Sequence, residues 1–151
     1  MGALIAMGGM EFRLSVENWP QTPGLNWLVP RESQILRQDV RGFDVPGLKF
    51  TDLLASVDAV ITKPGYGTLV EAACSGVPIL YVEREDWPET PWFAAWLATH
   101  ARAAVLRREQ LAGGDFIAAL NRLWQAPPPA VPAANGATEA AQLLVRELGL
   151  A

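Results

Sequence analysis

With 151 residues, half of them hydrophobic and 19% charged, the chain has the length and apolar content of one packed domain burying roughly two thirds of its unfolded surface. A net charge of −4 provides no broad basic field, which excludes nucleic acid as the main partner. One cysteine, Cys74, and one histidine, His100, exclude an internal disulfide and a zinc site and fit a reducing, cytoplasmic compartment.

The opening stretch, MGALIAMGGM, has no basic segment, and glycines break its short apolar run. It reads neither as a signal peptide nor as a membrane span. Residues 3–7 form a buried parallel strand with Gly8-Gly9 as the turn behind it. A chain that opens directly on a core strand carries the expectation of a further segment upstream. The following EFRLSVENWPQTPG has room for only a short helix before the next strand, at 26–29. A stretch at 48–50 adds an edge strand, and Thr51 caps a helix over 52–56. The strand at 58–62 leads through a glycine turn into a helix that Thr68 caps or just enters. That helix ends at Ser75, with Gly76 in the left-handed position. Further strands lie at 78–82 and 103–106. Thr90-Pro91 opens a helix over 92–99 as cap and first-turn proline, in which Trp92 and Trp96 form a core or interface stripe. Helices follow at 115–125 and 138–148, joined by a proline-rich connector at 127–134; Leu143, Leu144 and Leu148 of the last helix face the core. Cys74 reads as an inert buried thiol and His100 as a helix-end residue. Short, continuous apolar strands alternating with helices predict an α/β, Rossmann-like, doubly wound parallel sheet with right-handed crossovers.

In such a sheet, ligands sit outside the carboxyl ends of the strands. Three loops lie there: Gly8-Gly9, the run Lys63-Pro64-Gly65-Tyr66-Gly67-Thr68, and the segment 83–89. The middle loop removes side chains at Gly65 and Gly67 and directs a helix N-terminus into the same space, a combination that holds phosphate without many cations. Glu71, three residues past Thr68, is placed to accept hydrogen bonds from vicinal hydroxyls such as those of a ribose. An equal reading is a capping box, Thr68-x-x-Glu71, in which both residues only satisfy the helix end.

The segment TDLLASVDAVITKPGYGTLVEAACSGVPILYVEREDWPETP, residues 51–91, resembles the nucleotide-sugar half of GT-B glycosyltransferases. It is similar to the peptidoglycan N-acetylglucosaminyl transferases and UDP-glucuronosyl transferases, and to predicted glycosyltransferases that also resemble the front part of L-arabinokinase-like proteins. Asp52-Leu53-Leu54, Asp58-Ala59-Val60-Ile61, Gly65-Tyr66-Gly67-Thr68, Glu71-Ala72 and Gly76-Val77-Pro78 stand in the order of that family. The resemblance implies a donor-binding domain over residues 1–151. Its diphosphate would lie at Gly65, Tyr66, Gly67 and Thr68, its ribose on Glu71, and its donor sugar near Glu89, with Glu85 and Asp86 behind. Gly8-Gly9 would correspond to the glycine turn approaching the phosphates or the acceptor, and Lys63 and Arg84 would add charge. Lys63-Pro64 stands where many relatives carry histidine and a small residue. The substrate implied is a nucleotide-diphosphate sugar, most simply a UDP-sugar, with no separate cofactor and no metal. No general base is visible, so activity would require an acceptor domain ahead of this one or a partner subunit, and this chain alone would turn nothing over. A noncatalytic binding or assembly module, or a GT-B nucleotide-sugar epimerase, fits the same residues.

Overall fold

The computed structural model describes residues 1–8, 14–33, 35–43, 47–84 and 87–149. Among these, six strands are present: β1 (Gly2–Ala6), β2 (Asn26–Pro30), β3 (Val40–Phe43), β4 (Ala59–Thr62), β5 (Ile79–Val82) and β6 (Ala103–Leu106). They form one parallel sheet in the order β3-β2-β1-β4-β5-β6, the order of the doubly wound dinucleotide-binding folds. The chain reverses direction across the sheet between β1 and β4. Register there runs from Ala3 opposite Ala59 to Ala6 opposite Thr62. Two further bonds fix it: Asp58 Oδ2 accepts the Gly2 N–H at 2.6 Å, and Thr62 Oγ1 donates to the Ala6 carbonyl at 2.7 Å.

The strands are apolar on both faces because both faces are covered. Ala3, Ile5, Ala59, Ile61, Leu80 and Val82 face a core that includes Trp19, Trp27 and Phe116, three rings meeting edge to face with centroids 4.9–5.7 Å apart. Leu4, Val60, Ile79 and Tyr81 face the other core. That second core is closed by α1 (Phe50–Ala55), α2 (Tyr66–Cys74) and α3 (Thr90–His100). The first is closed by α4 (Arg108–Gly113) and α5 (Ile117–Gln125).

Several sequence expectations are corrected. The edge strand lies at Val40–Phe43 and not at 48–50, where Phe50 instead opens α1. Val40 faces the first core and Phe43 packs against the second, while Arg41 and Gly42 stay exposed at the sheet edge. Thr51 therefore lies inside α1; the capping position is Lys49, with no side-chain cap bond. Thr90 is the first residue of α3, and its hydroxyl bonds the Arg84 carbonyl at 3.3 Å. The expected helix at 115–125 is preceded by a separate short one, α4, set off by Gly114 at φ +74°. Trp92 is 76% exposed, while Trp96 packs against the second core and stacks on His100 at 4.7 Å, so only Trp96 has the core position expected of the pair.

The last helix, α6 (Gly136–Glu147), is exposed throughout, including Leu143 and Leu144, and Leu148 just beyond it is 66% exposed. They do not face the core. Both faces of the sheet are already taken by the other helices, and the connector at 127–134 runs past the Gly76 turn, with Val131 against it. Gly76 has the left-handed conformation expected of it, φ +69°. Gly9, Glu85 and Asp86 lie outside the described residues.

Candidate functional site

The carboxyl ends of β1 and β4 are adjacent, so the residues after them share one edge of the sheet. After β1 the chain turns at Gly8, φ +57°, a conformation that favours glycine. A Cβ at Gly8 would stand 3.1 Å from Lys63 Cε; the Lys63 side chain thus lies over the first turn. After β4, Pro64 is buried and Gly65 and Lys63 are half-buried.

Helix α2 starts at Tyr66 with Gly65 in the capping position and no side-chain cap bond. The reading of Thr68 and Glu71 as a capping box is therefore not realised, because Thr68 is the third residue of the helix and Glu71 the sixth. Leu69 donates the first intrahelical bond, to the Gly65 carbonyl at 3.3 Å. The N–H groups of Tyr66, Gly67 and Thr68 precede it and have no acceptor within the helix.

The two glycines of this bend differ from Gly8. Gly65 has extended backbone, φ 172°, and neither it nor Gly67 is among the positive-φ glycines. A Cβ built on either meets nothing within 4 Å. Neither conformation nor packing requires glycine at these two places. What their lack of a side chain keeps clear is the space outside the chain.

That space borders a cleft of about 520 Å³ lined by Met7, Gly8, Pro30, Phe43, Phe50 and Thr68 among others, with Lys49 and Glu32 as its charged members. Glu71, one turn beyond Thr68, is half-buried and opens on the adjoining cavity with Thr51, across the first turn of α1. Thr68 and Glu71 are thus on one helix but line two different hollows, with Phe50 on the first and Thr51 on the second.

In the loop after β5, the Arg84 guanidinium carbon lies 3.9 Å from the centre of the Trp87 ring, a cation–π contact. The Trp87 indole N–H donates to Glu89 Oε2 at 3.1 Å. Glu89 therefore occupies the capping position of α3 with one oxygen already engaged. Among the described residues, Asp39 and Tyr81 have ionisation displaced from the ordinary range. Asp39 is lowered by its hydrogen bond from Arg37, and Tyr81 is raised by burial. Among the described residues, no group of three His, Cys, Asp or Glu side chains is placed to hold a metal. None of their helices is long and apolar enough to cross a membrane.

The composition of the cleft was not legible in the sequence. Phe43 and Phe50 escaped because the edge strand was placed at 48–50 and not at Val40–Phe43. The available signal was weak, two apolar residues, Val40 and Phe43, that pack on opposite faces of the sheet with no alternation between them.

No protein-family model matches the chain. An L-arabinokinase of Arabidopsis thaliana is 30% identical over 93 residues, which cover 62% of this chain and 9% of that protein. Among solved structures, a calicheamicin glycosyltransferase superposes with a TM-score of 0.60 at 22% identity, over 82% of this chain and 34% of that one. The glycosyltransferase SnogD of Streptomyces nogalater gives 0.51 at 19% identity, over 95% and 43%, and a kitacinnamycin glycotransferase 0.51 at 19%, over 96% and 42%. The chain spans less than half the length of each of these four proteins. It has the fold of one half of a GT-B glycosyltransferase.

Proposed function

We propose that this chain is the donor-binding half of a glycosyltransferase that uses a nucleotide-diphosphate sugar, most simply a UDP-sugar. The observation that carries the reading is the bend at 65–68, where two glycines that the fold does not need leave open space in front of unpaired helix N–H groups. Backbone N–H groups and the positive end of α2 receive the diphosphate there. As the bond between sugar and diphosphate breaks, negative charge grows on the leaving phosphate, and the same N–H groups stabilise it without having to reorient. Lys63, held over Gly8, adds a mobile positive charge beside it.

The nucleoside lies in the cleft between Phe43 and Phe50, and its ribose turns toward α2, where Glu71 accepts the vicinal hydroxyls. Glu89, fixed by the Trp87 indole, presents its remaining oxygen to the donor sugar. The acceptor and the group that deprotonates it belong to a second half, in this protein or in a partner. A noncatalytic assembly module is the second reading, favoured by the exposed Trp92 and the uncovered apolar residues of α6.

Calorimetric titration with UDP tests the proposal. Saturable binding to the wild type, weakened about tenfold or more in Glu71→Ala and in Gly67→Val, is expected, because each change removes or blocks a charge-assisted contact. Stability serves as the control, since Val at an open helix position costs no more than Gly, a difference within about 1 kcal/mol. Absence of binding to UDP or any other nucleoside diphosphate would leave the assembly reading.

A further inference from the structure

Beside the bend, toward β5 and β6, a shallow notch has an apolar floor of Met7, Val82 and Leu111 and is ringed by Lys63, Arg84 and Arg108. Glu83 is the single carboxylate on its lining among the described residues. The three cations come from different elements. Lys63 follows β4, Arg84 follows β5, and Arg108 opens α4 just after β6; parallel strands deliver their carboxyl ends to one edge, so the topology brings the three together.

Among the described residues, none of these cations forms an ion pair. Arg84 lies instead over the Trp87 ring, a cation–π contact that holds the guanidinium beside the notch and uses none of its N–H groups in an ion pair. In a chain of net charge −4, three positive groups around one notch, with Glu83 the one carboxylate on its lining among the described residues, repel each other and gain by meeting an anion. The notch itself has room for about 20 Å³, on the order of one water molecule, so a ligand group rests across its mouth.

We propose that this notch binds an anionic substrate group, a carboxylate or phosphate, separate from the diphosphate at the bend. Its position beside a donor site rests on the nucleotide-sugar reading; its chemistry rests on the three cations alone. The anion is either an acid on the transferred sugar or one on the acceptor. Lys63 stands between the two anions, because it lies over Gly8 and also lines the notch.

The test titrates inorganic phosphate into the protein saturated with UDP and follows the Trp87 indole N–H resonance. A saturable shift is expected, with the apparent Kd raised about fivefold to tenfold in Arg108→Gln and in Arg84→Gln, each losing a charge-assisted contact. Arg108 is exposed and outside the donor site, so Arg108→Gln keeps the fold and the affinity for UDP. No saturable shift, or the same Kd in both variants, would overturn the proposal. UDP-glucuronate displacing phosphate where UDP-glucose does not assigns the anion to the sugar, and displacement by neither assigns it to the acceptor; both uphold the notch. If the wild type binds no UDP, the donor reading fails, and phosphate titration without nucleotide decides the notch alone. Weaker binding in Arg108→Gln then upholds it, and unchanged binding overturns it.

Discussion

Glycine meets different constraints along this chain, and the backbone tells them apart. At Gly76 it ends a helix in the left-handed region, φ +69°. At Gly114, φ +74°, a Cβ would come within 2.6 Å of Pro20 Cδ and 2.9 Å of Trp19 Cα, so close packing excludes any side chain. At Gly65 and Gly67 neither constraint applies, which is the ground for the proposal that these two leave room for a ligand. The contrast is measurable by chemical denaturation. Gly114→Ala combines a left-handed Cβ penalty of about 1 kcal/mol with overpacking against backbone of about 1–3 kcal/mol and is expected to lower stability by about 2 kcal/mol or more. A loss below about 0.5 kcal/mol, the level of an ordinary surface change, would show that the Trp19–Pro20 segment yields freely. The Gly65-Tyr66-Gly67-Thr68 bend was legible because glycine spacing ahead of an apolar helix is a local signal. The separate hollows on which Thr68 and Glu71 open were not, since they depend on where α1 packs.

At the scale of elements, β3 and the 3₁₀ turn at Val16–Asn18 are tied by one arginine. Arg37 donates from Nε to Asp39 Oδ1 at 2.9 Å and from Nη2 to Oδ2 at 2.6 Å. Its Nη1 donates to the carbonyls of Val16 and Trp19. Both side chains are largely covered, at 11% and 15% exposure, and the hydrogen bond from Arg37 holds the Asp39 carboxyl below its usual 3.8. A carboxyl whose pKa is lower in the folded state contributes stability that is complete above its unfolded value and is lost as pH falls through the folded one. Denaturation midpoints measured from pH 7 down to pH 2 are expected to fall below about pH 4. Asp39→Asn is expected to start lower at pH 7 and to lose less on acidification; an acid limb identical in both proteins would place the sensitive group elsewhere. None of this was visible beforehand, because Arg37 and Asp39 sit in a polar run where no periodicity marks a strand. The apolar strands β1, β4 and β5 were legible to within a residue or two because burial on both faces makes them continuous runs, and the edge strand β6 because its four residues are all apolar although Val105 is exposed.

Across the whole molecule, the strand order sets the site. Reversal between β1 and β4 brings Gly8, Lys63 and the start of α2 to one edge, and it places the notch of Arg84 and Arg108 beside them. The sequence pattern was sufficient for this architecture, since strand–helix alternation admits few topologies. It misjudged α6, whose leucines satisfy a helical apolar pattern yet stand in solvent. Periodicity reports that a face is apolar and says nothing of what covers it. The central claim is that the bend before α2 receives the diphosphate of a nucleotide sugar. Amide NMR of the chain titrated with UDP tests it most directly. The account predicts that the backbone N–H resonances of Tyr66, Gly67 and Thr68 shift saturably with UDP and not with uridine, which lacks the phosphates. UDP shifts that bypass these three amides, or an equal response to uridine, would contradict it.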